Sequence, residues 1–234
     1  MEVFNEKIKL IHESLPRLEN WILNRIDYAI NIKIEYVKEY IKLFQRGDKP
    51  KRFKELYCSS SKKRKQLEGS LYLFNSSVNI NFYDKYNERV KKNLNENAKR
   101  DILRLEIQCK KSKLYNIKNK SKFESLQVGE YLKKDISHKI LSDYYFLVIG
   151  KGDYYKLKEA IEKIKNSNYS ISTKEKLIKT LNLVNKHKSV WKARDKCEYS
   201  IASFNRYLQL IRGININPVT IPVRWEIDFL ANIY

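Results

Sequence analysis

The sequence is poor in cysteine, and the three cysteines that it has form no recognisable pattern. Cys58, Cys109 and Cys197 are odd in number, and their spacings fit neither a zinc site nor a disulfide framework. Apolar runs of about 18 residues, the length that predicts a membrane-spanning helix, do not occur. The first residues also lack the charged and then apolar segments of a signal peptide. We therefore expect a protein of the reducing cytoplasm that has no membrane partner.

Acidic residues are scarce relative to basic ones. The 234 residues include 27 Asp and Glu against 48 Lys and Arg, which gives a formal net charge of +21. In a protein without a membrane segment the usual partner of such an excess is a polyanion, so nucleic acid is the first expectation. Hydrophobic residues make up 42% of the chain, which is enough for a core, and a disordered chain is not expected.

Residues 78–85 have the alternating pattern of a half-buried β-strand. The even positions from 78 to 82 are apolar, and the odd positions are polar. Successive side chains of a strand point to opposite faces, so Tyr83 and Lys85 are expected together on the polar face.

Two other stretches, residues 25–32 and 103–110, show the same alternation. Their polar positions are occupied by Arg25, Asp27, Asn31, Arg104, Glu106, Gln108 and Lys110. If the three strands share one sheet and one orientation, a pair of carboxylates, a tyrosine, a lysine and an arginine converge. Each of these side chains alone would be read as an ordinary solvated residue of a sheet face. Their coincidence on three strands is what favours a functional site.

The first half of the chain predicts the element order β-α-β-β-x-β, where x is a charged segment before the last strand. The first strand spans roughly residues 21–32, a helix follows at 34–46, and a hairpin occupies 71–83. This order predicts an α+β domain over residues 1–120, with an antiparallel-rich sheet and helices on one of its faces.

Residues 121–234 are expected to form a mostly α-helical domain. Asp153 is expected to cap one of its helices, and Ser172 begins a capping box for the next. Two short helices about a turn apart then suggest a helix-turn-helix, with residues 200–212 as the recognition helix. An ordinary packed pair of helices fits the same pattern equally well.

A basic segment at residues 49–68 separates the predicted helix from the hairpin and has no clean periodicity. We interpret it as a loop that contacts DNA phosphates and carries no base recognition. The candidate DNA-binding residues are Lys49, Lys51, Arg52, Lys62, Lys63, Arg64 and Lys65.

The polar residues of the three predicted strands are those needed to cleave a phosphodiester. A tyrosine hydroxyl can attack phosphorus and form a phosphotyrosyl bond, which conserves the energy of the broken strand. A Mg²⁺ or Mn²⁺ ion held by carboxylates neutralises charge around the phosphorus, and Lys or Arg assists. We expect Asp27 and Glu106 as metal ligands and Tyr83 as the nucleophile. Lys85 and Arg104 are its expected electrostatic partners.

The sequence resembles a known family at three successive motifs. The motifs are Arg25-Ile26-Asp27, then Tyr83-Asp84-Lys85 followed by Glu88, and then Leu103-Arg104-Leu105-Glu106. They look like those of the phage and plasmid rolling-circle replication initiators related to the nicking protein of filamentous phages. Residues 213–222, with Trp225 after them, resemble the close of that family's C-terminal region. The resemblance extends over about residues 15–230.

This resemblance implies a DNA replication initiation protein, a site-specific endonuclease that nicks and rejoins one strand. Its DNA would be a replication origin, supercoiled or single-stranded, and host replication proteins would be further partners. The resemblance gives the nucleophile role to Tyr83 and metal-ligand roles to Asp27 and Glu106.

Two features depart from that family. Many of its members bind metal through a His-hydrophobic-His motif, whereas this chain has only His12, His138 and His187, so a metal would need oxygen ligands. The family usually has a strand-bearing region before the first motif, but 24 residues precede Arg25 here. An N-terminally shortened initiator domain is therefore expected.

Two other functions stay open on the sequence. One is a non-catalytic DNA-binding or regulatory protein built on a truncated initiator fold. The other is an RNA-binding module of the four-stranded-sheet type, which needs aromatic side chains on its exposed sheet face. Tyr83 is the only clear aromatic residue on the polar faces of the three strands, so the RNA-binding module ranks last.

Overall fold

A computed structural model describes residues 1–56, 69–92 and 100–234. The chain divides into two compact units, each assembled from two segments. Unit 1 contains Met1–Lys33 and Phe53–Tyr144, and unit 2 contains Ile34–Arg52 and Tyr145–Tyr234. Unit 1 holds a five-stranded sheet with helices, and unit 2 is mostly helical, so the α+β prediction is confirmed. The units divide elsewhere than at the expected boundary near residue 120.

The sheet of unit 1 is antiparallel throughout, and its strand order is β1-β5-β4-β3-β2. The strands are β1 (Arg25–Lys33), β2 (Lys54–Glu55), β3 (Ser70–Phe74), β4 (Val78–Asp84) and β5 (Ile102–Lys110). The three strands predicted from alternation and the predicted hairpin between β3 and β4 are confirmed. The short β2 at one end of the sheet is an addition, because two residues are too few to show a periodicity.

Ten α-helices are described in the residues that the structure covers. They are α1 (Glu2–Ile11), α2 (Val37–Phe44), α3 (Lys85–Lys91), α4 (Lys111–Ser121), α5 (Val128–Tyr131), α6 (Lys134–Val148), α7 (Leu157–Lys165), α8 (Ile171–His187), α9 (Val190–Asp195) and α10 (Ile201–Gly213). Helix α6 starts in unit 1 and ends in unit 2, and α2 belongs to unit 2. None of these helices is both long and apolar enough to cross a membrane.

One face of the sheet forms the core of unit 1. The even-numbered residues of β4 are buried there, and so are the odd-numbered residues of β5 that pair with them across the strands. Helices α4 and α5 carry buried partners for this face. Tyr131 donates its hydroxyl proton to the backbone oxygen of Leu114, and Tyr28 donates to the backbone oxygen of Tyr131. These buried hydroxyl bonds stabilise the packing of helix against sheet, because a buried tyrosine oxygen without a partner is costly.

The turn between β3 and β4 depends on one asparagine. The side-chain oxygen of Asn75 accepts hydrogen bonds from the backbone nitrogens of Ser77 and Val78, at 2.8 and 2.7 Å. Asparagine favours such turns because its short side chain can replace a backbone partner. The turn sets the pairing register, which brings Leu73 opposite Ile80 on the core face.

Unit 2 is organised around the apolar faces of three helices. Fully buried side chains from α7, α8, α10 and the following segment meet in one cluster, Ala160, Ile164, Leu177, Leu181, Ile211 and Ile216. Helix α2 adds Ile41, Leu43 and Phe44, which are all buried. A two-stranded sheet, β6 (Tyr154–Tyr155) paired with β7 (Phe229–Leu230), completes the unit.

Asp153 does not cap a helix, contrary to the prediction. The residues after it form β6, and α7 starts only at Leu157. The Asp153 carboxylate instead accepts hydrogen bonds from the side chain of Asn215 and the backbone of Asn232, at 2.7 and 2.8 Å. These partners lie far away in the sequence, so local pattern gave no sign of them.

The helices of the predicted helix-turn-helix are spaced differently from the expectation. Helix α8 has 17 residues, and the short helix α9 lies between it and α10, so no single turn joins the two. Helix α10 buries Phe204, Leu208 and Ile211 against unit 2. Burial of one face is common to a recognition helix and to a packed core helix, so the helix-turn-helix stays a prediction.

Helix α8 begins two residues earlier than the predicted capping box. Its N-cap is Ser170, whose hydroxyl oxygen accepts a hydrogen bond from the backbone nitrogen of Thr173. Ser172 lies inside the first turn and is exposed. The sequence contains serine at both positions, so the serine and glutamate spacing pointed to the wrong one.

The two serines provide a matched test of this cap. We expect Ser170→Ala to lower the free energy of unfolding by ~1 kcal/mol, because a backbone N–H of the first turn loses its acceptor. Ser172→Ala should change it by less than about 0.5 kcal/mol, because alanine suits an exposed helical position. Urea denaturation followed by circular dichroism measures both. A larger loss for Ser172→Ala than for Ser170→Ala would restore the predicted capping box.

Candidate active site

The predicted site residues lie on the face of the sheet opposite the core. We call this surface the polar sheet face and define it by Asp27, Asn79, Asn81, Tyr83, Arg104, Glu106 and Gln108. The strand register pairs Tyr83 with Arg104 and Asn81 with Glu106. It also pairs Asp27 with Gln108 on the edge strand β1. Because the three strands are neighbours in one sheet, the predicted convergence of Asp27, Tyr83, Arg104 and Glu106 on one face is what the structure has.

Tyr83 and Glu106 are in direct contact. The Tyr83 hydroxyl donates a hydrogen bond to Oε2 of Glu106 at 3.1 Å. The Nε atom of Arg104 lies 3.4 Å from the same oxygen. Tyr83 is only 8% exposed, so its expected position on an exposed face is wrong. The phenol lies among its neighbours on the polar sheet face and is not solvated.

The second oxygen of Glu106 is also engaged by protein donors. Gln108 donates to Oε1 at 2.8 Å, and Asn81 donates to the same atom at 3.4 Å. Asn79 in turn donates to the side-chain oxygen of Gln108 at 2.8 Å. The carboxylate therefore accepts from four side chains, which fix its orientation and compensate its partial burial.

The pKa values of this pair are shifted in opposite directions. Burial raises the pKa of Tyr83 above its ordinary value, and the negative charge of Glu106 raises it further. Burial also acts to raise the pKa of Glu106, but the hydrogen bonds from Gln108 and Tyr83 and the charge of Arg104 outweigh it. The net pKa of Glu106 is lowered. A neutral phenol thus donates a hydrogen bond to an ionised carboxylate, and the directions of the two shifts oppose transfer of the phenol proton to Glu106.

Asp27 is on the polar sheet face but is held by a different partner. Arg25 donates to both of its carboxylate oxygens, from Nε at 2.7 Å and from the terminal nitrogen at 2.5 Å. Glu106 lies opposite Ala29, two residues along β1 from Asp27, so the two carboxylates are diagonal neighbours on adjacent strands. No cluster of three or more His, Cys, Asp or Glu side chains suited to a metal ion occurs in the described parts of the chain.

Lys85 departs from its predicted role. It is the first residue of α3 and does not continue β4, because the Asp84 side chain caps the helix by accepting from the backbone of Asn87. The Lys85 ammonium forms an ion pair with Glu88 at 2.7 Å and lies 5.7 Å from the centre of the Tyr83 ring. Its cation is thus directed at the ring, with no hydrogen bond to the phenol oxygen.

The sequence reasoning missed the aromatic residues of β3. Tyr72 pairs with Asn81, and Phe74 pairs with Asn79, so both lie on the polar sheet face. The rings of Tyr72 and Tyr83 are stacked, with centroids 6.5 Å apart and planes 29° apart. The leucines at positions 71 and 73 are buried, and the alternate positions 72 and 74 therefore face the other side of the sheet. The sequence does not show this alternation, because residues 71–74 are all apolar or aromatic. Tyr83 is the only aromatic residue on the polar faces of β1, β4 and β5, as predicted, but β3 adds two more to the same sheet face.

The candidate DNA-binding residues are divided between described and undescribed parts of the chain. Lys49, Lys51 and Arg52 follow α2 in unit 2, where the Lys49 ammonium lies 4.9 Å from the centre of the Trp191 ring. Lys62, Lys63, Arg64 and Lys65 lie outside the described residues. Their role in contacting DNA phosphates stays a prediction.

Comparison with known proteins adds no family. No family model matches the sequence. No curated protein and no solved structure matches it significantly either. The resemblance to rolling-circle initiators therefore stays an expectation based on the quoted motifs, and function has to be argued from the chemistry of the polar sheet face.

The lowered pKa of Glu106 predicts how its contribution to stability depends on pH. A depressed pKa in the folded state means that folding favours the ionised form, so the stabilisation is present above the ordinary pKa of about 4.3. It is lost as the pH falls through the lower pKa of the folded protein. We expect Glu106→Gln to cost ~1–3 kcal/mol at neutral pH, and the cost should shrink in acid.

Urea midpoints of the wild type and the variant across pH 3 to 7, a window of about four units around that value, measure this difference. Glu130→Gln is the control, because Glu130 is a partly exposed residue of unit 1 whose carboxylate pairs with Lys133. A cost for Glu106→Gln that does not change with pH would contradict the assignment of an ionised, hydrogen-bonded carboxylate.

Proposed function

We propose that the protein is a DNA-nicking replication initiator of the phage and plasmid type, acting through Tyr83. The observation that carries this proposal is the hydrogen bond from the Tyr83 hydroxyl to an ionised Glu106, with the Arg104 cation beside it. A nucleophile, a base within hydrogen-bond reach and a cation on one surface are the parts that covalent cleavage of a phosphodiester needs. Action within the cytoplasm, with host replication proteins, belongs to the same proposal.

In this mechanism the Tyr83 oxygen attacks the phosphorus of one strand. The phenol proton passes to Glu106, against the direction of the two pKa shifts in the free protein and aided by the charge of Arg104, which acts to lower the pKa of Tyr83. The tyrosine O–P bond forms, and the bond from phosphorus to the 3′ oxygen breaks. The departing 3′ oxygen takes up a proton, and the 5′ phosphate stays attached to the protein. Attack by the 3′ hydroxyl in the reverse direction rejoins the strand without an outside energy source.

The electrostatics of unit 1 support a polyanionic substrate. Its two segments contain 26 Lys and Arg residues against 16 Asp and Glu residues. On the polar sheet face, Arg104 contacts both Glu106 and, through its terminal nitrogen, Asn31 at 3.1 Å. A guanidinium held by two partners presents a fixed positive charge, which is suited to the charge that develops on phosphoryl oxygens.

A divalent Mg²⁺ or Mn²⁺ ion is part of the proposal, with Asp27 and Glu106 as its protein ligands. Two carboxylates on one face, with asparagine and glutamine amide oxygens around them, are the hard oxygen donors that these ions prefer. The ion would have to compete with Arg25 for Asp27 and with the four side-chain donors for Glu106. The ion pair of Arg25 with Asp27 is partly exposed, with side-chain exposures of 53% and 34%, so its loss is not expensive.

A second candidate function is non-catalytic binding of single-stranded nucleic acid by the same face. Tyr72 and Phe74 beside Tyr83 favour it, because bases stack on aromatic side chains of an open sheet. This candidate needs neither a base nor a metal. It differs from the first in forming no covalent product.

Replacement of Tyr83 by phenylalanine tests the nucleophile. We expect wild-type protein incubated with Mn²⁺ and labelled circular single-stranded DNA to form a product that survives denaturation in detergent and carries the label. Tyr83→Phe should abolish this product. The variant should lose ~1–2 kcal/mol of stability, because Glu106 loses a buried donor. This loss of stability is larger than the loss expected when the hydroxyl of an exposed tyrosine is removed.

Two matched variants control for the loss of a hydroxyl. Tyr72→Phe changes the stacked neighbour on the same face, and Tyr86→Phe changes a tyrosine of α3 that lies under Arg100. Both should keep the covalent product. If Tyr72→Phe abolishes it and Tyr83→Phe does not, the nucleophile is Tyr72. If the wild type binds the DNA and forms no product with either metal, the second candidate is favoured.

Replacements of Asp27 and Arg25 test the metal site, because they should change the affinity for Mn²⁺ in opposite directions. Asp27→Asn should weaken Mn²⁺ binding roughly tenfold, because a charged ligand becomes neutral. Arg25→Gln should strengthen Mn²⁺ binding, because it removes the cation that competes for Asp27. Electron paramagnetic resonance of free Mn²⁺ measures both without DNA or cleavage. Equal, unchanged affinities in the two variants would exclude Asp27 as a ligand.

A further inference from the structure

Unit 2 has two tryptophans on its surface, and each has lysine ammonium groups over its ring. Lys42 lies 5.8 Å from the ring centre of Trp225. Lys49 and Lys192 lie 4.9 and 5.3 Å from that of Trp191. Both tryptophans are partly exposed, and Lys42 and Lys192 are exposed. This surface is separate from the polar sheet face, which belongs to unit 1.

Arg46 holds the two tryptophan regions together. Its guanidinium donates to the backbone oxygens of Lys188 and Thr220, at 3.3 and 3.1 Å, and its own backbone oxygen accepts from Val190 at 2.9 Å. The end of α2, the start of α9 and the segment before Trp225 are thereby joined at one residue. Lys42 lies in the last turn of α2, and Arg46 and Lys49 follow the end of that helix.

We define the tryptophan strip as Lys42, Arg46, Lys49, Lys188, Trp191, Lys192, Arg224 and Trp225. In the described parts of the chain, Lys42, Lys188 and Arg224 form no salt bridge. The carboxylate of Asp48, next to Lys49, is engaged by Arg194.

Arg46 and Arg224 of the strip lie near enough to influence each other as like charges. Burial lowers the pKa of Arg46, and the nearby charge of Arg224 lowers it further. Cations held together in this way repel each other in the free protein, and a bound polyanion relieves that repulsion. The positive charge of the strip thus favours binding of an anionic partner.

We propose that the tryptophan strip binds single-stranded DNA. Bases would stack on Trp191 and Trp225 while the phosphates between them contact Arg46 and its neighbouring cations. Flat aromatic rings alternating with positive charge fit a single strand, whose base faces are open, better than a duplex, whose bases are stacked on one another. The strip deepens the proposed function, since a nicking protein must hold the strand on which it acts, but its binding requires no cleavage.

Because lysines already lie over the tryptophan rings, a base that binds there must replace a lysine ammonium group. A base that stacks on Trp191 displaces an ammonium group from one ring face, and the released lysine is then adjacent to the phosphate of the same nucleotide. The ring keeps an aromatic or cationic partner throughout, so little contact is lost in the exchange. Stacking on tryptophan also quenches its fluorescence, which provides a direct readout.

The test uses the full chain and an oligothymidylate strand, with tryptophan fluorescence as the measure of binding. The protein has three tryptophans, and the third, Trp21, lies in unit 1. We expect Trp191→Leu and Trp225→Leu each to weaken binding roughly tenfold or more and to remove part of the quenching. Trp191→Phe should keep most of the affinity, because phenylalanine retains a stacking face. Trp21→Leu should change neither property.

Charge variants separate stacking from electrostatics. Lys192→Gln should reduce the slope of log affinity against log salt by about 0.7, the value for one lost phosphate contact on a single strand. Lys163→Gln is the matched control, because Lys163 also lies over a ring, that of Tyr155 at 4.6 Å, but outside the strip. It should leave the slope unchanged. Circular dichroism melting of every variant establishes that the fold is retained.

The outcomes for the strip and for the nicking site are distinguishable. Tyr83→Phe should bind oligothymidylate as the wild type does. If the wild type binds through the strip and never forms a covalent product, the strip stands and the nicking proposal fails. If the double variant of Trp191 and Trp225 binds and nicks normally, the strip is overturned and nicking stands. A duplex of the same length that binds as tightly, and loses affinity equally in the tryptophan variants, also overturns the commitment to a single strand.

Discussion

The carboxylate of Glu106 is the constraint on which the polar sheet face depends. It accepts hydrogen bonds from Asn81 and Tyr83 on the neighbouring strand β4. It also accepts hydrogen bonds from Arg104 and Gln108 on its own strand, β5. Asn81 and Tyr83 meet it only in the register that places Asn81 opposite Glu106. A slip of β4 by one residue would turn these two side chains toward the core, whereas Arg104 and Gln108 would stay beside Glu106 on their common strand. The register that packs the core is therefore the register that assembles the site, and neither can change alone.

The sequence was sufficient to predict the parts of this arrangement that depend on the alternation of polar and apolar residues along a strand. Alternation predicted β1, β4 and β5 and the shared face of Asp27, Tyr83 and Glu106, because each strand reports its own orientation. It failed where a short polar side chain ended an element, since nothing in the alternation distinguishes Lys85 in a strand from Lys85 as the first residue of a capped helix. Burial of Tyr83 also escaped prediction, because it depends on neighbours from other strands.

Contacts between segments far apart in the sequence were the second feature that could not be predicted. Helix α2 was expected within the first domain because it follows β1, yet its buried side chains belong to unit 2. The chain passes between the units after Lys33, Arg52 and Tyr144. Unit 1 has all its residues once Tyr144 is made, whereas unit 2 needs α2 to find partners more than a hundred residues later. Such distant contacts slow folding, and no local pattern encodes them.

The position of β1 at the end of the strand order has a consequence for solubility. In the described sheet its outer side has no neighbouring strand, and an edge of this kind is a template on which another chain can add a strand. Arg25, Asp27 and Lys33 place charges along that edge, and charged side chains on an edge strand oppose such pairing. Asp27, the candidate metal ligand, thus also belongs to the charges that oppose the addition of a second copy to this edge.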